Sequence, residues 1–207
     1  MSKGTLFTIS APSGAGKTSL VKALLENVDN ITVSVSHTTR QPRPGETNGI
    51  HYHFVPKDEF MEMLRANLFL EHAQIYDHYY GTSQTWLMEQ LNAGIDVILE
   101  IDWQGAQQVR RLKPDMVGIF ILPPSREALE QRLRERGKDS EAVIAKRLQG
   151  AIDEISHYVE FDYLVVNDDF EIARQDLQTI VYSQRLSQLI QAAKLKDLLT
   201  DLLSTEA

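Results

Sequence analysis

The chain has 207 residues, of which 43% are hydrophobic and 24% charged, and its formal net charge is −8. This length and composition suffice for one domain with a sizeable buried core. The sequence contains no cysteine, which excludes disulfides, thiolate catalysis and cysteine-based zinc sites.

The charge balance and the hydropathy pattern exclude two classes of partner. An acidic chain lacks the basic surface of a general nucleic-acid-binding protein. No apolar run approaches the ~20 residues that span a bilayer, and the opening MSKGTLF lacks the apolar centre of a signal peptide. We therefore expect a cytoplasmic protein with no nucleic-acid and no membrane partner.

Predicted strands and helices alternate along the chain. The first part predicts a strand at 5–10, a helix over Lys17–Asn27 and an alternating strand at 32–36. A turn-rich stretch at 41–49 then precedes a short predicted strand at 51–55 and predicted helices at 57–67 and 83–93. Further strands are predicted at 95–102, 117–122 and 163–167, with helices at 125–137 and around Glu171. This βα repetition predicts an α/β fold with a parallel sheet covered on both faces.

The stretch SAPSGAGKTSL, at residues 10–20, lies between the first predicted strand and helix. Gly14, Gly16, Lys17 and Thr18 form the end of the pattern G-x-x-x-x-G-K-[ST], whose backbone N–H groups wrap a phosphate at a helix N-terminus. Ala11 takes the position of the first glycine. A glycine-rich turn without a ligand is the alternative, and the strand and helix on either side argue against it.

A second candidate feature is the run IDVILEID, which reads as a central parallel strand ending in acids. Glu100 and Asp102 lie two residues apart and share one face of an extended chain, beside the predicted phosphate loop. Either carboxylate could hold Mg²⁺ directly or through water. The alternative is an acid that is solvated or paired with a helix N-terminus.

The stretch SVSHTTRQPRPGE carries two arginines in an otherwise acidic chain. Arg40 and Arg43 are three residues apart, and the flanking prolines restrict the backbone, so both guanidinium groups could converge on one phosphate. Tyr52 and Tyr80 could donate hydroxyl hydrogen bonds to the same group. A solvated basic loop and two core tyrosines are the alternatives.

These motifs together resemble the guanylate kinase family, bacterial type, over about residues 5–169. The matching segments, in order, are SAPSGAGKTSL, VSHTTRQPRPGE, FLEHAQ, YYGTS, ILEIDWQGAQ, ILPPS, LRERG, AKRL and VVNDD. The resemblance implies a P-loop nucleoside-monophosphate-kinase fold in a single domain over 1–207. Its parallel-sheet core would lie at about 1–36, 83–130 and 151–207, with an inserted GMP-binding region at about 37–82 and a lid at about 131–150. The implied reaction is ATP + GMP giving ADP + GDP, with Mg²⁺ as cofactor.

The resemblance also implies roles for single residues. Around the guanine base it implies Ser36, Glu71, Thr82 and Asp102, and on the GMP phosphate Arg40, Arg43, Tyr52 and Tyr80. For ATP it implies Ala11, Pro12, Ser13, Gly14, Ala15, Gly16, Lys17, Thr18, Ser19 and Asn167, and for the metal Thr18, Glu100 and Asp102. The catalytic cations would be Lys17, Arg40, Arg132, Arg136 and Arg147, whereas Arg134 receives no role. Thr82 stands where some relatives carry serine, and Glu100 stands where they often carry aspartate; Glu100 is one methylene longer, which weakens its assignment to the metal.

The chemistry of the base agrees with this assignment. Guanine offers N1–H and N2–H donors, so a carboxylate at Glu71 can accept twice, while adenine cannot satisfy it. A solvated acid is the alternative for Glu71. The attacking phosphate is already ionised near neutral pH, so we expect the protein to align the reactants and neutralise charge rather than to move protons.

Other functions and an assembly stay open at this point. Another nucleoside monophosphate kinase and a non-catalytic guanylate-kinase-like module that binds phosphopeptides are the alternatives, and a regulatory GTPase is disfavoured because no N-K-x-D motif is present. Besides ATP and GMP, dGMP is an expected acceptor. A long C-terminal apolar stripe predicts a homo-oligomer, with packing inside one subunit as the alternative; it comprises Ile180, Val181, Leu189, Ile190, Leu198, Leu199 and Leu202.

Overall fold

The computed structural model describes residues 3–75, 77–135 and 141–204. The strands within these residues are β1 (Leu6–Ser10), β2 (Ile31–Val33), β3 (His37–Thr38), β4 (His53–Phe54), β5 (Phe69–Ile75), β6 (His78–Ser83), β7 (Asp96–Glu100), β8 (Val117–Leu122) and β9 (Tyr163–Val166). The helices are α1 (Lys17–Asn27), α2 (Lys57–Arg65), α3 (Gln84–Asn92), α4 (Trp103–Leu112), α5 (Arg126–Glu135), α6 (Glu141–Ser156), α7 (Phe170–Arg185), α8 (Gln188–Lys194) and α9 (Lys196–Leu203), with a 3₁₀ turn at His157–Glu160.

The core is a parallel sheet whose five described strands lie in the order β2-β7-β1-β8-β9. All residues of β1 are buried because helices cover both faces of the sheet. Phe7 and Ile9 point to the side of α1 and α7, whereas Leu6 packs on the opposite side with residues of α3 and α4. The predicted α/β class with a parallel sheet is therefore confirmed.

A second, mixed sheet of four described strands lies in the order β4-β3-β6-β5. Its pairs β3–β6 and β5–β6 are antiparallel, and β3–β4 is parallel. The buried ring of Phe60 on α2 stacks on Phe69 with 4.5 Å between ring centroids, and both rings press on Gly81, where a Cβ would come within 2.9 Å of Phe69. This sheet is the frame that holds one half of the cleft described below.

Several element predictions need correction. The strand expected at 32–36 lies at Ile31–Val33, and of 51–55 only His53–Phe54 pairs as a strand. Strands β5 and β6 were not predicted, although their sequences carried motifs, because each needs a partner strand to satisfy its backbone. The strand expected at 95–102 ends at Glu100, and Asp102 instead caps the unpredicted helix α4, where its Oδ1 accepts from Gly105 N at 2.8 Å.

The C-terminal stripe is divided among three helices of the described chain rather than lying on one. Ile180 and Val181 belong to the core against α1, whereas Leu189 and Leu202 are 79% and 69% exposed. Helix α7 is tied to the sheet by Arg185, whose guanidinium lies 2.8 Å from the buried Asp96 carboxylate. No helix within the described residues is long and apolar enough to cross a membrane.

Candidate active site

The phosphate-binding loop joins β1 to α1 at the carboxyl edge of the parallel sheet. Gly14 and Gly16 have φ of +99° and +93°, a left-handed conformation that favours glycine. A Cβ at Gly16 would also lie 2.4 Å from Nδ2 of Asn167. The backbone and the space around it thus both require glycine here, and the loop presents its N–H groups at the start of α1, where an anion is favoured.

Asn167 holds this loop in place from the end of β9. Its buried amide donates from Nδ2 to the Ala15 carbonyl oxygen at 2.7 Å. The backbone oxygen of Asn167 in turn accepts from Arg132 of α5 at 2.9 Å. The other terminal nitrogen of Arg132, Nη1, is buried and has no hydrogen-bond partner among the described residues. A buried donor without a partner fits a group that meets a ligand oxygen.

Lys17 and two acids lie beside the loop. Lys17 Nζ is 3.5 Å from the Ile101 carbonyl oxygen, and burial lowers the pKa of Lys17 against the opposing charges of Glu100, Asp102 and Glu154. Thr18 Oγ1 donates to Glu100 Oε2 at 2.9 Å, so a hydroxyl and a carboxylate adjoin where the sequence predicted metal contacts.

No cluster of three or more His, Asp or Glu side chains able to hold a metal occurs in the described part of the chain. Mg²⁺ needs no such cluster, because it takes one or two protein oxygens together with phosphate oxygens and water. The Thr18 hydroxyl and the Glu100 carboxylate fit that donor set. Asp102 serves α4 as a cap, so one of its oxygens is already engaged.

A buried carboxylate marks the second half of the cleft. Glu71 on β5 is 4% exposed, and its Oε1 accepts from the Thr82 hydroxyl of the paired strand β6 at 2.6 Å. The Ser36 hydroxyl oxygen lies 3.5 Å from that of Thr82. Burial raises the pKa of Glu71 to about 7; the hydrogen bond from Thr82 opposes the rise and the nearby charge of Asp102 adds to it. The structure thus brings Ser36, Glu71, Thr82 and Asp102 to one part of the cleft, and their role around a guanine base stays a prediction.

The predicted arginine pair is only partly assembled. Arg40 makes a two-point contact with Glu46, at 2.9 Å from Nη1 and 2.8 Å from Nη2, and lies over the Tyr52 ring at 5.4 Å. Hydrogen bonding by Arg40 lowers the pKa of Glu46 to about 2 despite partial burial. The rings of Tyr52 and Tyr80 meet edge to face. Arg43 lies on the exposed loop, and its backbone N–H rather than its side chain contacts Glu46, at 2.7 Å.

Three adjoining pockets share Lys17 and form one cleft. The pocket at the loop has a volume of about 230 Å³, and the pocket at Glu71, Tyr80 and Asp102 about 250 Å³. A third, of about 340 Å³, is lined by Thr18, Ser36, Glu46, Tyr52 and Glu100. Lys17 therefore stands at the junction of an anion-binding loop and a polar pocket.

Two further predicted residues within the described chain, Ser19 and Arg147, do not line these pockets. Ser19 is exposed in the first turn of α1, Arg147 lies on α6, and Arg136 falls outside the described residues. Arg134, left without a role, pairs with Glu130 and Glu141 and so joins α5 to α6.

Sequence reasoning missed two acids of the cleft, Glu46 and Glu154. Glu46 ends the stretch SVSHTTRQPRPGE, and an acid that close to Arg40 and Arg43 indicates an ion pair with one of them. Glu154 Oε2 accepts from the Ser13 N–H at 3.2 Å, a contact across 141 positions of sequence that no local pattern indicates.

A P-loop at the edge of a doubly covered parallel sheet, facing a second polar pocket, defines a phosphotransferase of the P-loop kinase class. The sequence profile of the family described as guanylate kinase matches residues 3–184. The guanylate kinase of Methylococcus capsulatus is 59% identical over 203 residues, 98% of this chain and all of that protein, and that of Vibrio cholerae is 55% identical over 206 residues, 99% of this chain and all of that protein.

A solved structure agrees with these relatives. The crystal structure of guanylate kinase from Anaplasma phagocytophilum superimposes with a TM-score of 0.76 at 34% identity, covering 90% of this chain and 89% of that one. The chain belongs to the guanylate kinase family. The resemblance inferred from the motifs and the P-loop kinase fold inferred with it are confirmed.

The raised pKa of Glu71 makes folding stability depend on pH. Between pH 4.5, the ordinary pKa of a glutamate, and about pH 7, Glu71 is still protonated in the folded state but already ionised in the unfolded chain. The free energy of unfolding therefore falls as pH rises through this window. We expect Glu71→Gln to gain stability relative to the wild type between about pH 5 and about pH 8, measured by urea unfolding at both values. An unfolding free-energy difference that is the same at both pH values would contradict a buried, ionisable Glu71.

Proposed function

We propose that the cleft transfers the γ-phosphoryl group of ATP to GMP, giving ADP and GDP, a step of purine nucleotide metabolism that recycles GMP. One observation carries the proposal: the buried Glu71–Thr82 pair and the phosphate-binding loop open into one cleft with Lys17 between them. The high identity to guanylate kinases along nearly the whole chain supports the same reaction and neither of the alternatives weighed from the sequence.

Recognition of the base rests on hydrogen-bond complementarity. The Glu71 carboxylate accepts from guanine N1–H and N2–H, while Thr82, Ser36 and Asp102 complete the polar wall. Adenine has no donor at N1 and would leave the buried carboxylate unpaired, which is why such a site can discriminate by factors of up to ~10⁴–10⁵. Because dGMP carries the same base and phosphate, it is proposed as a second acceptor.

The acceptor phosphate is assigned to Arg40, Arg43, Tyr52 and Tyr80. Arg40 is held by Glu46 and by the Tyr52 ring, which both line the cleft, so its guanidinium is positioned beside the cleft before a ligand arrives. Its fork geometry suits two phosphate oxygens at once. A phosphate that binds Arg40 competes with Glu46 for the same donors.

The donor phosphates are assigned to the loop, to Lys17 and to the first turn of α1, with Asn167 supporting the loop. Arg132, Arg147 and Arg136 would neutralise charge on the transferring group, and the buried Nη1 of Arg132 supports its part in this. Mg²⁺, held by Thr18 and Glu100 with Asp102 nearby, would supply charge neutralisation at the ATP phosphates. The chain's own work is to align the acceptor oxygen with the donor and to exclude water.

The boundaries of the GMP-binding region at 37–82 and of the lid at 131–150, and the cytoplasmic location, stay predictions. Assembly is a further proposal. The exposed leucines of α8 and α9, among them Leu189, Leu198, Leu202 and Leu203, support an apolar contact with a second copy.

Replacing Lys17 with Met tests the catalytic cleft. The variant keeps the apolar stem and removes the cation between the two pockets, so we expect kcat with ATP and GMP to fall by about 100-fold or more. A coupled assay of ADP release measures it. Lys22→Met removes the same charge from an exposed position of α1 and should retain activity. Near-normal turnover of the Lys17 variant would remove it from the mechanism.

Glu71→Gln tests which base is read. The new amide places an NH₂ donor against a donor of guanine, so kcat/KM for GMP should fall by at least ~10-fold while the KM for ATP changes little. Inosine monophosphate lacks the exocyclic amine; it should be a poor wild-type substrate and lose proportionally less. Exposed Glu89→Gln is the matched control, and dGMP is assayed alongside. Equal damage to ATP and GMP would refute guanine recognition by Glu71.

Light scattering tests the assembly. At micromolar concentration we expect a mass that is a multiple of the single chain, and we expect Leu202→Lys to lower it, because a buried contact would lose an apolar anchor and gain a charge. Exposed Ile172→Lys on α7 is the control. A single-chain mass for the wild type argues for a monomer.

A further inference from the structure

Glu154 links the phosphate-binding loop to a helix that lies elsewhere in the sequence. It sits in the last turns of α6, and its Oε2 accepts from the backbone N–H of Ser13 at 3.2 Å. The side chain is half-buried and lines the loop pocket together with Gly14, Gly16, Lys17 and Thr18. The Glu154 carboxylate thus lies in the same pocket in which a nucleotide phosphate would bind.

A carboxylate and a phosphate cannot both hold this position. The Ser13 N–H carries a single hydrogen, so an oxygen of one anion must give way to an oxygen of the other. The two groups also repel each other at close range in a partly desolvated pocket. Lys17 is the cation that both would share, since the charge of Glu154 already acts on it.

We propose that Glu154 is an internal competitor for the phosphate-binding loop, which the polyphosphate of ATP must displace in order to bind. The inference rests on the proposed function, because it concerns the donor site of that reaction. Among the described residues, Glu154 lines the loop pocket and not the pocket at Glu71, so we expect the competition to act on phosphate rather than on the nucleoside.

The contact also ties the loop to the position of α6. Arg147 lies on the same helix, seven residues before Glu154 and therefore on nearly the same face. The Ser13–Glu154 bond therefore joins the phosphate-binding loop to the helix that carries Arg147.

The test compares the binding of phosphate-bearing ligands by E154Q and by the wild type, using titration calorimetry in the absence of GMP. Gln keeps the shape of the side chain and removes the negative charge. Because a hydrogen bond to a charged group contributes about 1.5–3 kcal/mol, we expect the Kd for ATP and for inorganic tripolyphosphate to fall by at least ~5-fold. The affinity for adenosine, which has no phosphate, should stay unchanged.

D153N is the matched control, because it removes the same charge from the neighbouring, exposed position of α6. A comparable gain in D153N, a gain for adenosine, or an unchanged or weaker tripolyphosphate affinity in E154Q would each overturn the proposal. E154A, which deletes the contact altogether, is measured in parallel and should show the same tightening, with thermal unfolding as the check that each variant is folded. Wild-type phosphorylation of GMP is assayed separately, so failure of the proposed function and failure of the competition are told apart.

Discussion

The hydrogen bond from the buried Asn167 amide to the Ala15 carbonyl is the contact on which the site depends. A phosphate-binding loop works only if its N–H groups converge, and convergence forces left-handed backbone at Gly14 and Gly16. Those conformations are held by what surrounds them: Asn167 fills the space against Gly16, and Leu129 of α5 lies against Gly14. The ends of β1 and β9 and the start of α5 thereby become parts of one rigid anion site.

The second sheet places a carboxylate, that of Glu71, in a buried position. A carboxylate as buried as Glu71 is costly to ionise, which is why its pKa is raised to about 7. The neighbouring strand supplies a hydroxyl at Thr82 that stabilises the charged form in part, and a ligand with two N–H donors would supply the rest. The pairing of β5 with β6 thus leaves a buried carboxylate with a single hydroxyl donor from Thr82, which is the arrangement on which the proposed recognition of guanine rests.

An acidic protein that handles two anionic substrates needs cations that are local and held in check. The two regions that we propose bind phosphate share one arrangement, since Arg40 is paired with Glu46 and the loop beside Lys17 is contacted by Glu154. Glu46 orients Arg40 through two hydrogen bonds, whereas the charge of Glu154 acts on Lys17 without a direct hydrogen bond among the described contacts. A phosphate that replaced either carboxylate would accept hydrogen bonds from donors that are already in place, the Arg40 guanidinium or the Ser13 N–H.

Local sequence patterns are sufficient to predict the features that short-range chemistry encodes. The loop motif, the buried strands β1 and β8 and the helix α1 follow from local patterns, because glycine conformations, apolar runs and helical spacing act over a few residues. Glu100 and Asp102 were proposed from their place at the end of a predicted strand, and Glu71 was proposed from the resemblance and the hydrogen-bonding groups of guanine.

Contacts between distant parts of the chain became visible in the folded structure. It showed that Asp102 caps α4, that β5 and β6 pair to bury Glu71, that the C-terminal stripe is split among helices, and that Glu154 reaches Ser13 across the cleft. These outcomes depend on which distant backbone groups and side chains meet once the two sheets are packed. A residue whose partner lies 141 positions away carries no local signal of its role, because the contact exists only in the folded chain.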